Sequence, residues 1–410
     1  MSDAVRAPWP HIILIYLIGV FGMMVVSAAL PALGGIAREF HPPSPATIGW
    51  VMSIPALAAA VASLAVGWLV DRFGDRRMMI LGSLLVLLGD GGVVTSTSMD
   101  LLLGWRVTAG LGYVCMVVAA VTMISRLTSG RARIAALALW STVIPASFVV
   151  ASLYGAVVGH GAGWRTVFLL HGGGVALLTL LALVRLPGRP AEEPTRSRLD
   201  GIGLVLRSPW PYALGASFAA AAFLQTGFVA TLPRLLASGI GASEAQVHSF
   251  NALAMICNMV GAFSFGLLYN RGLKPWQMGF GAVLLCGAAG LGLVLAPTNL
   301  ALAILMNCAL MFGLGILVGM WALLPAVTPS PQTTGATSGL ITQITLLGVL
   351  FGPPAAFNAL HAGPEMMLIF LGAALAASMV GWPIWRRNHD PVQRSSFITD
   401  RSISNGSAAL

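Results

Sequence analysis

Charge is scarce in this sequence: Asp, Glu, Lys and Arg make up only 9% of its 410 residues, against roughly 25% in soluble domains. Too few water-binding groups remain to cover a folded surface of that size, which excludes a soluble enzyme or a soluble nucleic-acid-binding domain as the main body. Cysteine is scarce as well. Cys115, Cys257, Cys286 and Cys308 fall in apolar runs without paired metal-ligand spacing and read as packing residues. Long polar stretches are missing, so no segment outside the apolar runs is large enough to form a catalytic core. His-Glu-x-x-His, Gly-x-Ser-x-Gly and Gly-x-x-x-x-Gly-Lys-Ser/Thr elements are also missing, which leaves no zinc hydrolase, no serine nucleophile and no nucleotide-driven pump. No enzyme activity, cofactor or metal is expected.

What is present is apolar length. Hydrophobic residues make up 57% of the chain and the mean hydropathy is +0.87. A helix crosses a hydrocarbon core of about 30 Å with about 20 apolar residues. Twelve such runs lie near 11–35, 47–70, 78–98, 101–125, 134–159, 164–186, 211–236, 244–269, 276–297, 299–325, 335–360 and 364–386. They are continuous, whereas barrel strands would alternate in polarity over about ten residues. The expected fold is an all-α integral membrane protein. No positively charged, short-cored cleavage signature precedes the first run, which is expected to act as the insertion signal itself.

The net charge of +9 follows topology rather than marking a nucleic-acid partner. Of the 22 Lys and Arg residues, all but Arg38, Arg106, Arg165 and Arg234 lie in the termini, the linker or the loops on one side. By the positive-inside rule both termini are cytoplasmic. The expected location is the bacterial inner membrane.

The chain also divides in two. Pro187 to Trp210 is rich in Pro, Arg and Glu and reads as a cytoplasmic linker between residues 1–186 and 211–386, followed by a cytoplasmic tail at 387–410. Ala28-Ala29-Leu30-Pro31-Ala32-Leu33 ends the first run and Ala230-Thr231-Leu232-Pro233-Arg234-Leu235 ends the seventh. Ser44 to Arg72 lies without gaps on Ser243 to Arg271, so that Asp71-Arg72 faces Asn270-Arg271. Two halves of equal orientation imply pseudo-symmetric six-helix bundles with a central site between them.

The loop Gly67-Trp68-Leu69-Val70-Asp71-Arg72-Phe73-Gly74-Asp75-Arg76-Arg77 resembles the signature G-x-L-x-D-R-x-G-x-R-R between spans 2 and 3 of the major facilitator superfamily. The resemblance implies a gating role, with Gly67, Asp71, Arg72, Gly74, Arg76 and Arg77 supporting the outward-facing state. Asp71 would meet the positive end of span 11 near Thr334-Gly335. Arg106-Val107-Thr108-Ala109-Gly110-Leu111-Gly112 is similar to the R-x-x-x-G-x-G pattern of proton-driven antiporters, and points to the drug:proton antiporter-like branch. The G-P-x-x-G-G element of those antiporters is replaced here by Ala151-Ser152-Leu153-Tyr154-Gly155-Ala156.

Two groups are costly where they stand. Arg106 and Asp90 lie inside hydrocarbon, where a charge must pair, meet water or exchange a proton, and they are the coupling candidates. His171 and His248 are further titratable groups. By the geometry of the family, Tyr16, Tyr113, Gln225, Asn251, Asn258, Asn307, Trp321 and Gln343 are the substrate-cavity candidates, and each amide has helix-to-helix bonding as its alternative. Span 1 has Met23 and Met24 and no carboxylate, which favours an amphipathic or weakly charged solute. The expected function is a monomeric secondary transporter of a small organic molecule by alternating access, coupled to protons and exporting. Import of a metabolite or siderophore-like solute, and a non-transporting membrane receptor, are the alternatives.

Overall fold

The computed structural model describes residues 8–41, 45–159, 163–188, 199–240, 244–295 and 299–386. Within them, twelve helical segments are long and apolar enough to cross a membrane. Spans 1 to 4 are Trp9–Ser27, Pro45–Phe73, Asp75–Thr95 and Met99–Leu127. Span 5 is the pair Gly130–Trp140 and Val143–Gly159, and span 6 is Arg165–Arg185. Spans 7 to 9 are Pro209–Ile240, Glu244–Asn270 and Pro275–Leu295; span 10 is Leu300–Gly319 with a continuation to Val327. Spans 11 and 12 are Thr334–Ala362 and Pro364–Ser378, the latter continued to Arg386.

Prolines set the breaks inside these runs. A proline lacks an N–H and its ring crowds the carbonyl four residues back, so the helix opens there. Span 1, expected to reach residue 35, stops as a regular helix at Ser27, four residues before Pro31. Span 5 is interrupted at Ser141 and Thr142, ahead of Pro145. Span 10 tightens into a 3₁₀ turn at Met320–Leu323 before Pro325, and span 12 does so at Met379–Gly381 before Pro383. Pro55 is carried inside span 2 without a break, leaving the Val51 carbonyl without its helical donor.

The same pairings recur in the two halves. Span 1 packs on spans 5 and 6 as span 7 does on 11 and 12; span 2 packs on 4 as 8 does on 10; span 3 packs on 4 and 6 as 9 does on 10 and 12. Lipid tails give helices no hydrophobic reason to associate, so close backbone approach through small residues supplies the contact. A Cβ on Gly112 of span 4 would lie 2.5 Å from the Gly82 carbonyl oxygen of span 3. Spans 3, 6, 9 and 12 turn branched aliphatic side chains outward, with Leu84 and Leu88, Leu180, Leu284 and Ile369 exposed. Span 4 is the most enclosed.

The linker holds one element that composition hides. Leu199–Arg207 is an amphipathic helix whose Val205 is buried with Ala336 and Leu340 of span 11. Residues 189–198 of the linker and the tail 387–410 lie outside the described residues.

Candidate functional site

The signature loop is a one-residue turn. Span 2 ends at Phe73, span 3 begins at Asp75, and Gly74 between them has φ 92, a left-handed conformation that favours glycine. Two carboxylates flank it with separate tasks. Asp75 is buried and accepts from Arg126 of span 4, Nε at 2.7 Å and Nη2 at 3.1 Å. Arg126 also donates to the Pro187 carbonyl and Arg76 to the Leu183 carbonyl at the end of span 6. The loop is thereby fastened to its own half. Arg72 lies over the rings of Trp68 and Phe73, and Arg77 is exposed.

Asp71 reaches the other half. Its Oδ1 accepts from the Gly335 N–H at 2.9 Å and its Oδ2 from the Ala336 N–H at 2.8 Å. These are the second and third residues of span 11, whose first-turn N–H groups have no partner within the helix. Thr333, the residue that would cap them, makes no side-chain cap bond; its hydroxyl engages Ser330 instead. Asp71 therefore caps span 11 from across the interface, with charge and helix dipole in the favourable sense. Close approach makes this possible: a Cβ on Gly335 would lie 2.6 Å from both Asp71 Oδ1 and the Gly67 carbonyl oxygen. The corresponding place in the second half holds Asn270, whose Nδ2 donates to the Arg131 carbonyl of span 5 at 3.2 Å. Beside it, Gly266 packs against Ala138.

A second polar cluster lies within the first half. Arg106 is fully buried and donates Nε to the Val51 carbonyl at 2.9 Å and Nη2 to the Val25 carbonyl. Val51 is the acceptor that Pro55 sets free, and Val25 lies in the last turn before the break that Pro31 imposes. The guanidinium thus holds spans 1 and 2 through a carbonyl in the last turn of span 1 and the carbonyl that Pro55 frees in span 2. Its face lies over Phe168 with 5.5 Å to the centroid, and Nη1 is buried without a hydrogen bond. Asp90, instead of pairing with Arg106, meets His171 of span 6, Oδ2 to Nδ1 at 2.7 Å. His171 Nε2 lies 2.8 Å from the Phe21 carbonyl oxygen and its ring stacks on Phe21. Asp90 Oδ1 is buried without a partner.

The cavity candidates separate into tied and free groups. Asn258 donates to the Met311 carbonyl at 2.8 Å and joins spans 8 and 10. Tyr16 shares a 2.8 Å hydrogen bond with Thr142 at the break in span 5. Tyr113 is buried in span 4, Gln225 approaches the Met255 sulfur, and Trp321 packs on Phe218 at 5.2 Å. Asn307 is buried with Oδ1 unpartnered, and Gln343 is half-buried. The side chains of Asn251 and His248 lie outside the described residues. The four cysteines are unpaired, and among the described residues no group of three or more His, Cys, Asp or Glu is arranged to hold a metal.

At the other end of the first half, Glu39 was not anticipated. Arg165 grips it through two nitrogens at 2.7 and 2.6 Å, and Trp164 Nε1 donates to it at 2.8 Å. These bonds hold the Glu39 carboxyl down at about 2. Spacing offered no signal for it, since Glu39 and Arg165 lie 126 residues apart.

Two similar helical bundles, meeting through a loop of one and a helix start of the other, with buried ionisable groups between apolar helices, define an integral membrane protein built from two repeated units. The chain belongs to the Major Facilitator Superfamily, whose family model matches residues 12–353. The quinolone resistance protein NorB of Staphylococcus aureus is 27% identical over 56% of this chain and 45% of its own length. The putative niacin/nicotinamide transporter NiaP of Bacillus subtilis is 26% identical over 76% of this chain and 78% of its own. The chain spans less than half the length of the first curated relatives it matches. Among solved structures, the proton:xylose symporter XylE has a TM-score of 0.76 at 13% identity, covering 92% of this chain and 96% of that one. That likeness bears on the fold.

Proposed function

We propose that this protein is a proton-coupled exporter of a small, weakly charged organic solute, working by alternating access in the bacterial inner membrane with both termini in the cytoplasm. The observation that carries the reading is the Asp71 clasp on Gly335 and Ala336, a charged contact between halves that must break before the arginine-rich side can open. Residues 1–186 and 211–386 are the moving halves, joined by 187–210, and Gly67, Arg72, Gly74, Arg76 and Arg77 complete the latch. Asp90 and Arg106 are the coupling residues. Tyr16, Tyr113, Gln225, Asn307, Trp321 and Gln343 offer the solute aromatic faces and amides rather than a fixed charge. The name of the relative NorB supports export, as does the Arg106-x-x-x-Gly110-x-Gly112 pattern.

Everted membrane vesicles test this. A fluoroquinolone and a panel of lipophilic weak cations should accumulate when an inward-acid proton gradient is imposed, and collapse of the gradient should release them. Accumulation only in right-side-out vesicles would establish import instead. Import is the second reading, supported by the name of NiaP and by its match over most of this chain; labelled nicotinamide and nicotinate are its probes.

A further inference from the structure

The hydrogen bonds of His171 restrict where its protons can be. A main-chain carbonyl can only accept, so the 2.8 Å contact between His171 Nε2 and the Phe21 oxygen requires a proton on Nε2. The 2.7 Å contact between Nδ1 and Asp90 Oδ2 must then hold a proton of its own. Without one, a ring lone pair would face a carboxylate oxygen inside a site where His171 is 1% and Asp90 2% exposed. The observed geometry is the proton-loaded form, written either as imidazolium and carboxylate or as imidazole and carboxylic acid. Removing one proton leaves neutral His171, still bonded to Phe21, and a bare Asp90 carboxylate.

Charged neighbours of this pair are few. Span 4 contributes Arg106. It stands level with Asp90, because Gly89 packs against Ala109 and Gly92 against Trp105. Span 1 presents the Phe21 carbonyl, with His11 and Tyr16 further along the helix and Tyr16 bonded to Thr142. Span 6 supplies His171 itself, and its Arg165 is engaged with Glu39 at the membrane edge. Span 2 has no Asp, Glu, Lys, Arg or His between Trp50 and Val70. Two buried atoms in this neighbourhood lack a hydrogen bond, Asp90 Oδ1 and Arg106 Nη1. They are an acceptor and a donor.

We propose that Asp90 and His171 form a single-proton binding site inside the first bundle, and that Arg106 responds to its occupancy. When the site is loaded the pair is neutral and the guanidinium is held by the Val25 and Val51 carbonyls, bracing the break of span 1 and the proline turn of span 2. When the proton leaves, the negative charge on Asp90 draws Arg106 toward Oδ1. The two carbonyls are then released. Protonation of a site closed off between spans 1, 3, 4 and 6 is thereby transmitted to spans 1 and 2, of which span 2 carries Asp71. The proposal rests on the reading of the chain as a proton-coupled carrier.

The test needs a readout that does not depend on transport. Full-length protein in lipid nanodiscs, with ¹⁵N-labelled histidine, should show one ring whose Nε2 stays protonated across a pH series while its Nδ1 signal changes. His171→Gln should remove that signal, and Asp90→Asn should alter its pH response. In vesicles, Asp90→Asn and His171→Gln should each reduce gradient-driven accumulation at least tenfold and leave counterflow exchange within about twofold of wild type. If a variant folds poorly, wild-type protein decides: binding of a transported probe measured by calorimetry in buffers of different ionisation enthalpy should show proton exchange. Should wild-type vesicles show no gradient-driven flux while the His171 signal titrates as described, the carrier reading fails and the proton site stands. Gradient-driven accumulation unchanged in both folded variants, or a His171 ring that never changes state between pH 4 and 10, overturns the proposal.

Discussion

A single carboxylate ties the signature loop of one half to the other. Asp71 accepts two main-chain N–H groups at the start of span 11, bonds of the charge-assisted kind worth about 1.5–3 kcal/mol each. In Asp71→Asn the carbonyl oxygen retains one bond and the amide nitrogen opposes the other N–H, donor against donor. A loss of about 1–3 kcal/mol shifts the balance between closed and open forms by roughly 5–150-fold. Spin labels across spans 2 and 11 should report a larger open fraction, and turnover should fall with normal expression. Wild-type distances and flux would remove Asp71 from gating. Glu39 makes a prediction of a different kind. Its carboxyl is held at about 2 by Arg165 first and Trp164 second, below the ordinary value of about 4.3. A depressed value means that the folded form favours the ionised group, so its stabilisation is complete above pH 4.3 and is lost as pH falls toward 2. With the pair this exposed the effect is small. Thermal unfolding of Glu39→Gln and wild type should converge across that window and differ above it.

Helices here are shaped by proline as much as by apolar length. Pro55 frees the Val51 carbonyl that Arg106 occupies. Pro55→Ala returns an N–H to that carbonyl and straightens the turn, so it competes with Arg106 without removing it. The variant should unfold at or above the wild-type temperature, yet transport several-fold more slowly. Undiminished flux would show that the arginine contact to span 2 is structural only. The second-half counterpart of the clasp offers a parallel experiment. Asn270 donates to a carbonyl of span 5 and its own oxygen is unpartnered. Asn270→Asp loses that donor and sets a carboxylate oxygen against the Arg131 carbonyl, acceptor against acceptor. It should loosen this second contact and raise the open fraction, the same in sign as Asp71→Asn.

At the scale of the molecule, contacts between halves run along spans 2 and 11 and along spans 5 and 8. The clasp, the Asn270 contact and the packing of Gly266 on Ala138 all gather at the arginine-rich end. The two bundles are thereby closed against each other on that side. The proposed orientation makes that side cytoplasmic. In a cysteine-free background, cysteines at the exposed positions Gly188 and Leu273 should react with an impermeant maleimide only in everted vesicles, and those at Asp100 and Gly163 only in intact cells. Any reversal of that pattern rejects the topology.

The sequence by itself determined the membrane class, the twelve spans, the repeat of halves and the family, because these follow from apolar length, arginine placement and a loop motif that are local along the chain. It also marked Asp90, Arg106, His171 and Asp71 as residues whose charge or ring needed a reason to lie where they do. Partners were another matter. His171 meets Asp90 across 81 residues and Arg106 reaches Val25 across 81 and Val51 across 55; Asp71 reaches Gly335 across 264. Helical period states which face a side chain takes, and not which helix stands opposite. That choice is made when glycine faces let particular spans approach, and when a proline and a helix end leave carbonyls open to a buried guanidinium that lipid offers no water. The linker helix was concealed for the same reason, since its single apolar face acquires meaning only against the start of span 11.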